Sequence, residues 1–139
     1  MFKKMTILLT TIMIYAQLAA PPSNSGVIFE AERVCPYEEI WQAVCKVESN
    51  YNPFAIGDKH LKEYSYGIAQ LRRVRIEDFN RRTGSNYTIN DAFSPEISKR
   101  IFFFYASEIG PYDMARIAKS WNGSGKMTIE YWKKIKKVL

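Results

Sequence analysis

Proline and glycine stops cut the chain beyond residue 35 into pieces of helix length, and this punctuation leaves little room for a sheet. Asn52-Pro53 ends the first piece, because the residue before a proline is pushed out of the helical region. Gly84 ends the second. Ser94-Pro95-Glu96 opens a third, with a serine placed to cap and a proline preset for the first turn, and Gly110-Pro111 closes it. Asn122-Gly123-Ser124-Gly125 separates the last two. Between these stops apolar residues recur at helical spacing. Tyr37, Ile40, Trp41, Val44 and Cys45 share one face of a helix expected from about Pro36 to Asn50. A second helix is expected from Arg73 to Arg82, and a third carries Ile97, Ile101, Phe102, Tyr105 and Ile109. A shorter one runs from Tyr112 to Ser120, and the last starts near Thr128 with Ile129, Trp132 and Ile135 inward. Gly57 to Tyr66 has charges and no period, so a loop or at most a small hairpin is expected. The pattern predicts a mainly α domain with little or no β.

The first residues have a different character. Lys3 and Lys4, the apolar run Met5 to Ala16 and the small residues Leu18-Ala19-Ala20 predict a signal peptide over 1–20. The apolar run is too short for a comfortable membrane span. Residues 21–33, opening Pro21-Pro22-Ser23, are expected as a short lead into a domain over 34–139, and the product as exported, periplasmic or in the cell envelope. A hydrophobic fraction of 47% and an aromatic fraction of 14% exclude general disorder and support a core. Losing Lys3 and Lys4 takes the net charge from +6 by two to +4. A moderately basic exported domain suits an anionic envelope polymer, whereas export and scattered Lys/Arg argue against nucleic acid. Arg72-Arg73-Val74-Arg75 and the Lys-rich C-terminus are expected as solvated helix faces.

Cys35 and Cys45 stand in a compartment that permits a disulfide. One unbroken helix from Pro36 holds their Cα atoms about 15 Å apart, at 1.5 Å per residue, and a bridge tolerates less than about 7 Å. A bond therefore requires Cys35 to fold back from a later helix start, and the sequence leaves that open. His60 is alone and no Cys/His/carboxylate cluster has ligand spacing, so neither a metal nor a cofactor is expected.

Glu48 is the candidate for chemistry. It lies four residues after Val44 and seven after Trp41, on the packed side of the first helix and near its negative end. Desolvation and the helix dipole both push a carboxyl pKa up there, as a general acid at neutral pH requires. Asn52-Pro53-x-Ala55 carries the chain out beside it as one edge of a cleft. Ser65-x-Gly67-x-x-Gln70 pairs a glycine that lets backbone approach a ligand with side chains able to hold sugar hydroxyls. Trp121, beside Asn122 and Gly123, offers a platform for a pyranose face. Each segment taken alone reads equally well as packing, capping or a turn, and Tyr131 reads as core on spacing alone.

Their joint order carries more. Glu48-Ser49, Asn52-Pro53-x-Ala55, Ser65-Tyr66-Gly67-Ile68-Ala69-Gln70 and Trp121-Asn122-Gly123 resemble the motifs of soluble lytic transglycosylases, lysozyme-like enzymes of the bacterial envelope. Asp91 to Glu96 is similar to the family's lead into its long core helix, and Tyr131-x-x-Lys134 to its final helix, so the resemblance covers about Val34 to Ile135. Ala69 stands where the family usually has Met. Trp121 replaces a Tyr whose hydroxyl contacts the acid, and an indole N–H donates but cannot accept.

The resemblance implies a goose-type, SLT-like helical fold, acting as a monomer on peptidoglycan glycan strands, with a possible tie to a secretion, conjugation or phage assembly. It implies non-hydrolytic cleavage of the MurNAc–GlcNAc β-1,4 bond, with Glu48 as sole acid and base. Ser49, Ser65, Gly67, Gln70 and Asn122 would support or orient the sugar, and Trp121 and Tyr131 would shield Glu48. No second acid occupies a matching motif, and Asp58 and Glu63 read as solvated. A hydrolytic muramidase needs a second positioned carboxylate, and a non-catalytic peptidoglycan-binding scaffold needs no acid at all.

Overall fold

A computed structural model describes residues 35–139. The expected signal at 1–20 and lead at 21–33 lie outside the described residues. Those described are mainly helical. They form five α-helices, a two-stranded ribbon and one 3-10 turn. No helix among them is long and apolar enough to cross a membrane.

Helix α1 spans Glu38–Ser49. It begins later than the apolar pattern predicts, because Pro36 and Tyr37 form a turn in which Glu38 N donates to Cys35 O at 3.1 Å. Glu38 and Glu39 then occupy the positive end of the dipole. Both cysteines are free, with Cys45 buried on the inward face of α1. Burial pushes its thiol up to about 12. The helix stops where Asn50 and Tyr51 turn left-handed, with φ of 53° and 64°. Their amides return to Lys46 O and Cys45 O, so the chain swings away within three residues of Glu48.

The irregular stretch that follows holds a minimal hairpin. Strand β1, Ile56–Gly57, pairs antiparallel with β2, Ser65–Tyr66, with Ile56 opposite Tyr66 and Gly57 opposite Ser65. Helix α2 covers Arg73–Thr83 and ends at Gly84 (φ 73°). A 3-10 turn at Ile89–Phe93 carries a Thr88/Asp91 capping box. Helix α3, Pro95–Ser107, starts as expected, with Ser94 accepting from Ile97 N. It stops short of Ile109. Helix α4 is Met114–Asn122, set later than predicted because Asp113 caps it by accepting from Arg116 N; Tyr112 is left fully exposed.

Helix α5 spans Met127–Lys136 and corrects the expected phase. Thr128, Tyr131 and Ile135 are buried, whereas Ile129 is 51% exposed and Trp132 only half-buried. Thr128 sets this rotation, since its amide and hydroxyl both donate to Gly125 O. One aromatic ties the bundle together. The Phe102 ring on α3 lies 5.4 Å from Trp41 on α1 and 4.9 Å from Trp121 on α4.

The hairpin is pinned to the 3-10 turn at Gly67, whose φ is +76°. A β-carbon there would stand 1.8 Å from Ala92 O, and that carbonyl is itself held by the buried Ser98 hydroxyl at 2.9 Å. Gly84 has a similar φ of +73° and open space around it. Gly84→Ala should therefore cost only the left-handed penalty, about 1 kcal/mol. Gly67→Ala should cost at least about 2 kcal/mol more, because backbone must move. Paired denaturant titrations measure the difference, and equal costs would refute the close approach.

Candidate active site around Glu48

Glu48 sits in the last turn of α1, where the left-handed reversal at Asn50 opens the backbone to one side. Its carboxyl reaches across to α5, and the Tyr131 hydroxyl donates to Glu48 Oε1 at 2.7 Å. The two residues are 83 apart in sequence. Burial pushes the Glu48 pKa up from the usual carboxylate range to about 7. The Tyr131 hydrogen bond opposes that rise, the Asp58 charge adds to it, and Arg72 and Arg75 oppose it. The Tyr131 hydroxyl is itself raised above its ordinary value, by burial first and then by Glu48, so it stays a proton donor.

The carboxyl faces a cleft of ≈ 330 Å³ lined by Glu48, Asp58, Gln70, Arg72, Arg75 and Trp121, with Val74, Asn122 and Gly123 completing the wall. A depression of similar size, ≈ 360 Å³, is lined by Arg73, Glu77 and Tyr87 among others. Its carboxylate, Glu77, is exposed. Only the first cleft holds a desolvated acid beside a fixed donor.

Several residues singled out from sequence converge here, but most of them face inward. The Ser49 hydroxyl donates to Ile68 O at 2.8 Å and ties the glycine turn to α1. Ser65 is buried and donates to Gln70 Oε1 at 2.7 Å. Gln70 Nε2 donates to Gly67 O at 2.9 Å and more weakly to Ala55 O at 3.4 Å. Gln70 lines the cleft, yet its amide is committed to its own loop. The expectation that Ser65 and Gly67 meet a ligand is corrected accordingly. The Ser65 hydroxyl is spent within the turn, and the Gly67 amide donates to Ala55 O at 2.9 Å.

Trp121 is also reassigned. It is 7% exposed, with Arg75 over its ring at 4.3 Å and Phe102 against it. No open face remains for stacking a pyranose. Its indole N–H donates to Ala69 O at 3.2 Å, and Ala69 is wholly buried beneath it. The hydroxyl that Trp121 lacks is supplied to Glu48 by Tyr131. Asn122 and Gly123 are exposed on the rim.

Two features were not anticipated. Asp58 lines the cleft and binds Arg72 Nη2 through Oδ2 at 2.7 Å, whereas Glu63 is exposed as expected. Arg75 turns inward, donating Nη2 to Trp121 O at 3.0 Å, so the Arg72-to-Arg75 run is no simple solvated face. The available signal was its position. Arginines at the start of a helix oppose the dipole, and a broken local rule marks such a site. Asp58, with φ 55° just after Gly57, gave no periodic signal. Among the described residues no group of three or more His, Cys, Asp or Glu side chains could hold a metal ion. Comparison with protein-family models, with curated proteins and with solved structures finds no match to this chain.

Removing the Tyr131 donor withdraws the hydrogen bond that favours the carboxylate, so Tyr131→Phe should raise the Glu48 pKa above about 7, as read from carbon-13 shifts of its carboxyl. The same titration makes a stability prediction. An acid whose folded pKa exceeds its unfolded value of 4.5 destabilises the fold progressively as pH rises from about 4.5 to about 7. The loss should be on the order of 2–3 kcal/mol. Glu48→Gln should remove that slope and be the more stable form at pH 8. An unchanged slope in chemical denaturation would show that the carboxyl is solvated.

Proposed function

We propose that this chain is an exported lytic transglycosylase of goose-type, lysozyme-like fold. It would act as a monomer in the periplasm or cell envelope on peptidoglycan glycan strands. The observation that carries the reading is a carboxyl with a pKa raised to about 7, fixed by the Tyr131 hydroxyl at 2.7 Å and facing a polar cleft. Proton donation to a glycosidic oxygen requires that combination.

The chemistry balances without water. Protonated Glu48 gives its proton to the oxygen leaving C1 of muramic acid, and the C1–O bond breaks with its electron pair on that oxygen. The muramic N-acetyl oxygen stabilises the positive C1. Glu48, now a carboxylate, accepts from Tyr131 and is held for the return step. It takes the proton of the sugar's 6-hydroxyl as O6 bonds to C1, which closes the 1,6-anhydro ring and restores the acid. A helical scaffold positions the acid, and the motif residues Ser49, Ser65 and Gln70 brace the turn opposite it.

Asp58 favours a second reading. It is a carboxylate in the same cleft, as a hydrolytic muramidase requires. Its tie to Arg72 favours the first, because a carboxylate held by a guanidinium at 2.7 Å is a weak base for activating water. A non-catalytic peptidoglycan-binding scaffold would need neither group.

Digestion of purified peptidoglycan, with mass analysis of the sugar ends, separates the three. The transglycosylase should release anhydro ends, lighter by one water than reducing ends, and take up no label from oxygen-18 water. Glu48→Gln should lower the rate by at least about 10²-fold, whereas Asp58→Asn should leave anhydro ends as the product. Activity should fall as pH rises through about 7, where Glu48 loses its proton. Reducing ends that disappear in Asp58→Asn would establish the hydrolase, and wild-type protein that binds without cutting would establish the scaffold.

A further inference from the structure

Among the described residues no hydrogen bond or ion pair joins Arg72 or Arg75 to Glu48, so neither takes a direct part in proton transfer to a sugar oxygen. Arg72 is the cap residue of α2 and Arg75 lies in its first turn, which has no acidic residue and no side-chain cap. Cations at the positive end of a dipole weaken a helix, so this placement does not serve local stability. Both side chains line the Glu48 cleft.

Their partners differ in kind. Arg72 is matched by Asp58, through one nitrogen of its fork at 2.7 Å. Arg75 is matched by no acid among the described residues. It lies over the rings of Trp121 at 4.3 Å and Tyr105 at 5.0 Å, and gives Nη2 to the carbonyls of Trp121 and Ser120. Rings and carbonyls fix the plane of a guanidinium without cancelling its charge. The nearby Asp78 is occupied by Tyr105, Arg81 and Arg82. With Glu48 protonated, the cleft therefore carries one uncompensated positive charge, on a rigidly held planar fork. Among the described residues no hydrogen bond uses Arg75 Nε or Nη1, and no buried side-chain nitrogen or oxygen lacks a partner. A charge that only tuned the neighbouring acid would not need a fork with free donors, so the arrangement fits a bound anion.

We infer that Arg75, with Arg72 beside it, forms a carboxylate-binding subsite next to Glu48, so that the cleft selects an acidic amino-sugar strand over a neutral one. The inference rests on the saccharide reading above and adds a specificity element to it. The carboxylate has two sources in such a polymer. One is the free lactyl group of strands without peptide, and the other is a stem-peptide carboxylate on strands that carry one. Both present the flat two-oxygen group that a guanidinium fork matches. Asp58 is the built-in competitor, occupying Arg72 when the cleft is empty.

The test is calorimetric titration of the full chain carrying Glu48→Gln, which keeps the acid neutral and prevents turnover. Three GlcNAc–MurNAc tetrasaccharides are compared: lactyl groups free, lactyl groups capped as methylamides, and lactyl groups extended by L-alanyl-D-glutamate. At least one carboxylate-bearing form should bind about tenfold more tightly than the methylamide, the size expected of one charge-assisted contact. The free lactyl form doing so assigns the subsite to bare strands, and the dipeptide form to dressed ones. Adding Arg75→Gln should abolish the preference, and adding Asp58→Asn should enlarge it by freeing Arg72. A merely structural role for these residues predicts neither change. Equal binding of all three sugars overturns this inference and leaves the saccharide reading intact. No binding of any sugar overturns both. The comparison within the Glu48→Gln protein stands even if Arg75→Gln does not fold.

Discussion

The contact between the Tyr131 hydroxyl and Glu48 Oε1 is the constraint on which the cleft depends. It ties the last helix to the first, and it exists only if both helices present the correct face. On α1 that face is set by Ile40, Trp41, Val44 and Cys45, all buried, which bring Glu48 to the edge of the same stripe. On α5 it is set by Thr128, whose double donation to Gly125 O turns Tyr131 inward and Ile129 out. Phe102 on α3 packs on Trp41 of α1 and Trp121 of α4 at once, which fixes α1 against α4. A change of about one residue in the phase of α5 would swing the hydroxyl by roughly 100° and leave the carboxyl buried without its donor.

A second set of contacts makes the opposite wall, and its logic is inward. Ser49, Ser65, Gln70 and Trp121 each spend a polar hydrogen on the loop between Ala55 and Leu71 or on one another. Gly67 lets this loop meet Ala92 O, and Gly57 lets it close on itself, since a β-carbon at Gly57 would lie 2.0 Å from Gln70 Oε1. Gln70 accepts a left-handed φ of 52° to make these bonds. The turn around Gly67 and Gln70 is braced because its polar groups satisfy one another, and Asp58 at its edge is tied to Arg72 at the start of α2.

Much of this architecture was legible in the sequence, for reasons that differ by residue. The start at Ser94-Pro95 and the stop at Gly84 depend on local backbone sterics, which a short window contains, and they fall where expected. Helix α1 instead ends at Ser49, ahead of Asn52-Pro53, because Asn50 turns left-handed. Glu48 was legible because its position in the stripe of α1 is also local. The facing direction of α5 was not, because Ile129 and Tyr131 compete for the inward position and tertiary contacts decide between them. Trp121 misled for a similar reason. An aromatic beside glycines suggests an open platform, but the ring's faces are taken by Arg75 and Phe102 from elements distant in sequence. Asp58 was hidden because charge in a loop reads as solvated until the fold places it in a cleft, and Arg75 was marked only by its unfavourable place at a helix start.

The opposing influences on Glu48 explain why its pKa comes to rest at about 7 instead of higher. Burial alone would make a reluctant acid, one that holds its proton strongly and returns to the protonated state too readily to act as an acid at all. Tyr131, Arg72 and Arg75 each stabilise the carboxylate, and Asp58 partly cancels the arginines. In the proposed reaction a single group would first give a proton to a leaving oxygen and then take one from a hydroxyl, and it would work best when neither state is much preferred at the working pH. Two separate carboxyl groups could be tuned apart, one high and one low. One group doing both jobs would have to sit between. A substrate carboxylate seated against the arginines, as inferred above, would neutralise their charge and shift Glu48 toward its protonated form, so that the acid is loaded when the strand is in place.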